Sequence, residues 1–285
     1  MSDSILRTVL VTGCSSGIGH ATAARLAGHG WAVYATARRP ETLSALAAMG
    51  CRTLALDVTD EASMTAALAT VDRERGGLGV LVNNAGYSQS GPLEELPLED
   101  LRRQFETNVF GLLRMAQLAL PGMRRQRWGR IVNLGSMGGR LTFPGGGAYH
   151  ATKYALEAIS DALRFEVAGF GVDVVLIEPG LIRTNFGATA VGSMDTLPTG
   201  DGPYADFSAA VSSTTAGAYA GAMGRVLGAG PEAVARVIER AITARRPRAR
   251  YVVTPGARVM IGLHAVLPDR AFDAVLARQF PRPRG

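Results

Sequence analysis

The sequence is almost without lysine. Of its 30 lysine and arginine residues, one is lysine, Lys153, and the rest are arginine. A lysine kept in such a chain marks a position where arginine's broad planar fork cannot replace a compact ammonium. Cysteine is equally scarce. Cys14 and Cys51 cannot build a disulfide framework, and neither has zinc-site spacing. The four histidines, His20, His29, His150 and His264, form no ligand cluster, so no metal is expected. Charged residues are few, 19% against 47% hydrophobic, which excludes a disordered chain. Long apolar runs are missing too. The longest late stretch, residues 251–267, is broken by Pro255 and Arg258 and makes a poor membrane span. The opening Met1-Ser2-Asp3-Ser4 is polar and the first apolar run short, so no signal peptide is expected. The expectation is a cytoplasmic protein with no integral membrane span. The net charge of +6 is spread along the chain without a nucleic-acid motif, so no nucleic-acid partner is expected.

What is present is alternation. Apolar runs at residues 8–12, 32–36, 53–56, 79–83, 130–134 and 172–177 read as strands. Helical patterns lie between them at 18–29, 40–49, 61–75, 98–125 and 148–168. The long 98–125 pattern contains Gly111 and Pro121. A helix at 231–244, a last strand at 250–253 and one or two terminal helices follow. Strands joined by helices predict an α/β fold, a parallel sheet with helices on both faces. Ligands bind such sheets at the carboxyl ends of their strands, near the switch point. The 285 residues show no repeat or linker and read as a single domain, 1–285. Residues 184–224 break the pattern. They are rich in Gly, Ala, Ser and Thr, contain no Arg or Lys, and read as an irregular segment, a lid or binding loop.

Five local features bear on chemistry. The first strand runs into Thr12-Gly13-Cys14-Ser15-Ser16-Gly17-Ile18-Gly19 and then a helix. Glycines permit a tight turn and close approach of backbone N–H groups to a phosphate. The helix start adds positive dipole character for a pyrophosphate. The second strand ends at Ala37-Arg38-Arg39. A carboxylate there would hold a ribose 2′-hydroxyl. With Ala37 there is none, and an arginine suits a 2′-phosphate instead. Tyr149 and Lys153 stand four apart on one helix face. A free phenol is a poor acid–base catalyst at neutral pH, and a nearby ammonium is expected to lower its pKa. Ser136 follows the fifth strand, where its hydroxyl can donate to a substrate carbonyl or simply cap a turn. Asn108 sits unfavourably inside a helix and marks a local distortion, or an exposed helix position.

These residues together resemble the short-chain dehydrogenase/reductase family, over roughly residues 6–184. The resemblance rests on the 12–19 turn, Asn83-Asn84-Ala85-Gly86, Asn108, Ser136, Tyr149, Lys153 and Pro179-Gly180. It implies a single Rossmann-type, doubly wound sheet and an NADP(H)-dependent ketone–alcohol oxidoreductase. It implies a catalytic tetrad of Asn108, Ser136, Tyr149 and Lys153, with Ser136 and Tyr149 holding the substrate. Gly13, Ser15, Ser16, Gly17, Ile18, Gly19 and Arg38 would bind the cofactor, Asp57 and Val58 would flank its adenine, and Asn84, Ala85 and Gly86 would line its cleft. Tyr149, Lys153, Pro179, Gly180, Ile182 and Thr184 would lie at its nicotinamide end. The turn, Val33-Tyr34-Ala35-Thr36 and Gly91-Pro92-Leu93-Glu94 are similar to the 17β-hydroxysteroid and retinol dehydrogenase branch. That implies a substrate lid at 184–224, a C-terminal extension at 231–285 and a lipophilic steroid-, retinoid- or polyketide-like carbonyl or alcohol. Met194, Leu197, Tyr204, Phe207 and Tyr219 suit such a pocket. Family members commonly pair through the helices at 98–125 and 148–168, so a homodimer or homotetramer is expected. A non-enzymatic NADP-binding sensor or scaffold, and an epimerase or dehydratase on the same fold, are the alternatives.

Overall fold

In a computed structural model of the chain, residues 6–194, 202–221 and 226–283 are described. Strands β1 (Thr8–Val11), β2 (Ala32–Ala37), β3 (Arg52–Ala55), β4 (Val80–Asn83), β5 (Gly129–Leu134), β6 (Val172–Glu178) and β7 (Arg250–Val252) form one parallel sheet. Their order is β3-β2-β1-β4-β5-β6-β7. The chain winds outward from β1 in one direction and from β4 in the other, so the switch point lies between them. This is the doubly wound α/β architecture that the alternation predicts.

The central strands are apolar throughout because both sheet faces are covered. Val9 and Val11 point to one face, where Leu26 of α1 (Gly17–Gly28) and Val234 and Ile238 of a late helix, Pro231–Thr243, pack. Leu10 points to the other, among Met64 and Leu68 of α3 (Glu61–Arg75), Met115 of α5 (Leu112–Arg125) and Leu163 of α6 (Gly147–Val167). A short α2 (Ser44–Ala48) follows a 3-10 turn after β2. Helix α3 starts at Asp60, whose carboxylate accepts from the Ala62 amide, and stops at Gly76 in the left-handed region.

The predicted 98–125 helix is one rod with a defect. Helix α4 (Leu98–Phe105) runs through a π-helical segment, Glu106–Gly111, into α5. Gly111 is required there: a Cβ would lie 2.3 Å from the Val58 carbonyl oxygen.

The 184–224 segment is not irregular as expected. Its described residues hold α7 (Phe186–Gly192) and α8 (Ala205–Ala220). Alanine-rich sequence favours helix, but α8 mixes Ala, Ser and Thr on all sides and offers little periodicity to read. Residues 195–201 and 222–225, including the expected pocket residue Leu197, lie outside the described residues. Met194, Phe207 and Val211 pack with Leu96, Ala148 and Phe280 in a separate small cluster. The helix Pro231–Thr243 is α9; α10 (Pro255–Val266) and α11 (Asp269–Leu276) complete the chain. Among the described residues no helix is long and apolar enough to cross a membrane, and no side chains group as a metal site.

Candidate active site

The carboxyl ends of β1, β4, β5 and β6 converge on one edge of the sheet. The turn after β1 is drawn tight by glycine. Gly13 and Gly17 have φ of 71° and 60°. A Cβ on Gly13 would lie 2.9 Å from the Ala85 Cα, and one on Gly19 would lie 2.4 Å from the Gly13 carbonyl oxygen. Ser15 and Ser16 are exposed, Ile18 half-buried. Ser16 precedes α1 without capping it, and the first turn carries no acid. The helix start therefore faces outward with its amides uncapped by any side chain, the arrangement that receives a phosphate. These residues fit a dinucleotide.

The opposite wall is tied to this turn. The buried Thr12 hydroxyl accepts from the amides of Asn84 and Ala85, both at 2.9 Å. The Asn84 side chain donates to the carbonyls of Thr12 and Gly13. Gly86 leaves room for Asn108, whose Oδ1 would lie 3.0 Å from a Cβ at that position. At the end of β3, Asp57 accepts from the Thr59 amide and hydroxyl, while Val58 buries its side chain in the core. Arg38 is exposed just beyond β2, beside the equally exposed Arg39.

Tyr149 and Lys153 lie one turn apart on α6, and Ser136 starts the short turn after β5. The Ser136 hydroxyl stands near the Tyr149 phenol and favours its ionised form. It also accepts from the Gly138 amide at 3.0 Å, so it caps the turn while facing the phenol. Asn108 lies within the π segment, with its side chain donating to Thr152 of α6 at 3.2 Å.

The electrostatics correct one expectation. The Tyr149 pKa is raised rather than lowered, despite Lys153. The Lys153 ammonium is buried, donates to the Leu134 carbonyl at 2.7 Å and lies 5.5 Å from the centre of the Tyr149 ring. Burial dominates the phenol and raises its pKa well above the usual value; nearby Tyr219 adds to this and Ser136 opposes it. Burial also lowers Lys153 to about 8. The phenol is thus held protonated.

Phe186 of α7 meets the Tyr149 ring edge-on at 5.3 Å, and Tyr219 of α8 packs on Gly187. Ser193 ties α7 to the wall after β4: its hydroxyl accepts from the Ser90 amide and its carbonyl from Gln89. Pro179 accepts from the Met137 amide, and Gly180 admits the Thr254 hydroxyl into space a Cβ would occupy. Ile182 buries its side chain in the core. Its ladder to Ala229 uses the Leu181 carbonyl and the Arg183 amide, so the peptide groups of Ile182 itself point the other way. Thr184 lies against Gly17, bringing the two ends of the expected cofactor set together.

Two features here have no motif in the sequence. His150 fills a slot between Gly138 and Gly146, accepts from the Phe143 amide and is pushed down to about 4 by burial. Behind α6, Arg250 binds Glu157 and Asp161, close to the fully buried Glu178 at the end of β6. Burial and the neighbouring Glu178 raise Glu157 to about 7.

Comparison with known proteins gives this arrangement a context. The short chain dehydrogenase family model matches residues 7–193. An NADPH-dependent 3-dehydrocapnine reductase from Ornithobacterium rhinotracheale is 34% identical over 97% of this chain and 98% of its own. The structure of a short-chain dehydrogenase from Streptomyces avermitilis superposes with a TM-score of 0.78 at 34% identity, covering 98% of this chain and 97% of that one. The closed form of a serine dehydrogenase complexed with NADP+ superposes with a TM-score of 0.74 at 29% identity, covering 87% and 94%.

Proposed function

The chain belongs to the short-chain dehydrogenase family, and on that premise we propose that it is an NADP(H)-dependent oxidoreductase interconverting a ketone and a secondary alcohol. The observation that carries this is the meeting of Ser136, Tyr149 and buried Lys153 at the sheet edge that also bears the glycine turn. Bound there, NADP(H) supplies or accepts the hydride. Gly13, Gly17, Gly19 and the start of α1 would hold its pyrophosphate. Arg38 would hold the 2′-phosphate, and Lys153 the nicotinamide ribose.

The chain's own groups handle the proton. Ser136 and Tyr149 donate hydrogen bonds to the substrate carbonyl oxygen and polarise it. The raised Tyr149 pKa keeps a proton on the phenol until alkoxide character develops, and Tyr149 then delivers it. Lys153 and the π segment around Asn108 lead from Tyr149 toward water, the route by which the proton is restored.

The substrate is lipophilic in this reading. Phe186 and Tyr219 stand over Tyr149, and residues 184–224, read as the lid, bring no arginine or lysine to clamp an anion. The enzyme is a homodimer or homotetramer. Phe110, Tyr154 and Phe165 are exposed along the π segment and α6, large apolar groups suited to a symmetric contact. A cytoplasmic location belongs to the same proposal and is checked by cell fractionation.

A panel of ketones and alcohols, followed by NADPH absorbance with both cofactors, tests the reading. Turnover of apolar ketones faster with NADPH than NADH is expected. Tight NADPH binding with no turnover across the panel, or release of a dehydrated or epimerised product without net cofactor use, overturns it.

A further inference from the structure

On the far side of the fold, beside edge strand β7, lies an open basin of about 640 Å³. Five arginines line it: Arg240 from α9, Arg246 and Arg248 from the following loop, Arg250 from β7 and Arg258 from α10. Val237, Tyr251 and Val252 are among its other walls, and no carboxylate lines it. Arg250 is already balanced by Glu157 and Asp161. Arg240, Arg246 and Arg248 have no ion pair among the described residues, and Arg258 donates only to the Val252 carbonyl. Several guanidinium forks gathered in one concavity match phosphate oxygens.

The basin adjoins a second anomaly. Helix α10 is apolar on nearly every side, with Arg258 as its one formally charged residue, yet among its residues only Ala257 is buried. Val259 and Val266 are 66% and 77% exposed, two turns apart on one face. Exposed aliphatic side chains next to unpaired arginines are the composition of an element that lies in a membrane interface, basic groups on headgroups and apolar groups below them. A second copy of the chain is disfavoured here. A two-fold contact would bring the same arginines face to face.

We propose that the arginine basin and the exposed face of α10 form a docking surface for an anionic phospholipid bilayer, with the headgroup phosphate in the basin. The helix begins at Thr254, whose hydroxyl lies against Gly180 at the catalytic edge. Helix α10 thus links this surface to the catalytic edge. The surface stands on its own residues and does not require that reading of the substrate.

The test is co-sedimentation of the full-length protein with phosphatidylcholine vesicles and with vesicles that also contain phosphatidylglycerol. Binding only to the anionic vesicles, weakened by salt, is expected. Arg246→Glu with Arg248→Glu should weaken it about tenfold or more, each reversal replacing an attraction with a repulsion. Val259→Ser with Val266→Ser should weaken it on the same vesicles. Both variants should keep the wild-type circular dichroism melt and NADPH affinity. No binding to anionic vesicles, or binding indifferent to the arginine reversals, overturns the proposal. So does calorimetric binding of pyrophosphate at these arginines without vesicle binding, which would assign the basin to a free phosphate ligand. A concentration-dependent dimer abolished by the arginine reversals, with no vesicle binding, would assign it to a second copy. Vesicle binding is read without turnover, so its failure and the failure of the oxidoreductase reading are separate results.

Discussion

The side chain of Asn108 pairs with both main-chain polar groups of Tyr87. Its Oδ1 accepts from the Tyr87 amide at 3.1 Å, and its Nδ2 donates to the Tyr87 carbonyl at 2.8 Å. The π segment thus grips the loop leaving β4 as though Asn108 were a strand neighbour. Asn108→Ala would leave the Tyr87 amide unpaired beside a buried space; Gln104 would still serve the carbonyl. The expected loss is about 1–3 kcal/mol of unfolding free energy. Urea denaturation measures it, and a loss within experimental error would show that the pairing is dispensable.

Tyr149→Phe keeps the ring that packs against Phe186 and removes only the proton donor. Turnover should fall about 100-fold or more, while NADPH affinity stays within about twofold. Steady-state kinetics and a fluorescence titration of the cofactor give the two numbers. A variant with near-normal turnover would remove Tyr149 from the role of acid.

Arg38 stands exposed where a 2′-phosphate would extend past β2. Arg38→Ala should weaken NADPH by about 10–100-fold and leave NADH nearly unchanged, since only NADPH carries the phosphate. Parallel titrations with both cofactors decide it. Equal loss for both would point to a general charge effect.

His150 makes the fold sensitive to acid. Its folded pKa is about 4, below the 6.5 of an exposed histidine, because burial disfavours the charged ring. The unfolded chain therefore binds the proton more tightly. This contribution to stability is complete above about pH 6.5 and drains away as pH falls toward 4. Between pH 7 and pH 5 it amounts to about 2 kcal/mol. Urea midpoints at the two pH values should differ more for the wild type than for His150→Gln, which cannot titrate. Parallel behaviour of the two proteins would assign the acid sensitivity elsewhere.

Light scattering at micromolar concentration should give a multiple of the 29.9 kDa chain mass. Phe165, at 85% exposure the most open large apolar side chain among the described residues, is the position to probe. Phe165→Arg should shift the mass toward the monomer. A wild-type mass of one chain, unchanged by NADPH, would overturn the symmetric contact.

The sheet was legible because its central strands are buried on both faces and so read as nearly unbroken apolar runs. Thr8–Val11 and Val172–Glu178 fall within a residue of their predicted bounds. The Tyr149–Lys153 pair was legible because a four-residue spacing is local to one helix. The asparagine at 108 was a usable sign of the π segment, since it is a poor helix former. The environment of Tyr149 was not legible. Phe186 and Tyr219 come from helices late in the chain, and only folding sets them over the phenol. The expected lowering of the Tyr149 pKa failed for that reason: spacing shows the ammonium's distance along a helix but not the burial that outweighs it. The Glu157–Arg250–Asp161 cluster joins β7 to α6, and no spacing within either segment announces it.

The burial of Lys153 has a practical corollary. With one lysine in the chain, and that one enclosed and hydrogen-bonded to Leu134, the described surface offers no lysine amine to an acylating reagent. Lysine-directed chemistry on the folded protein can proceed only when the site opens. The labelling rate at residue 153, read by mass spectrometry, then becomes a clock for that opening. Each molecule modified at residue 153 should be inactive, so labelling there, counted apart from labelling of the α-amine, titrates the active centre.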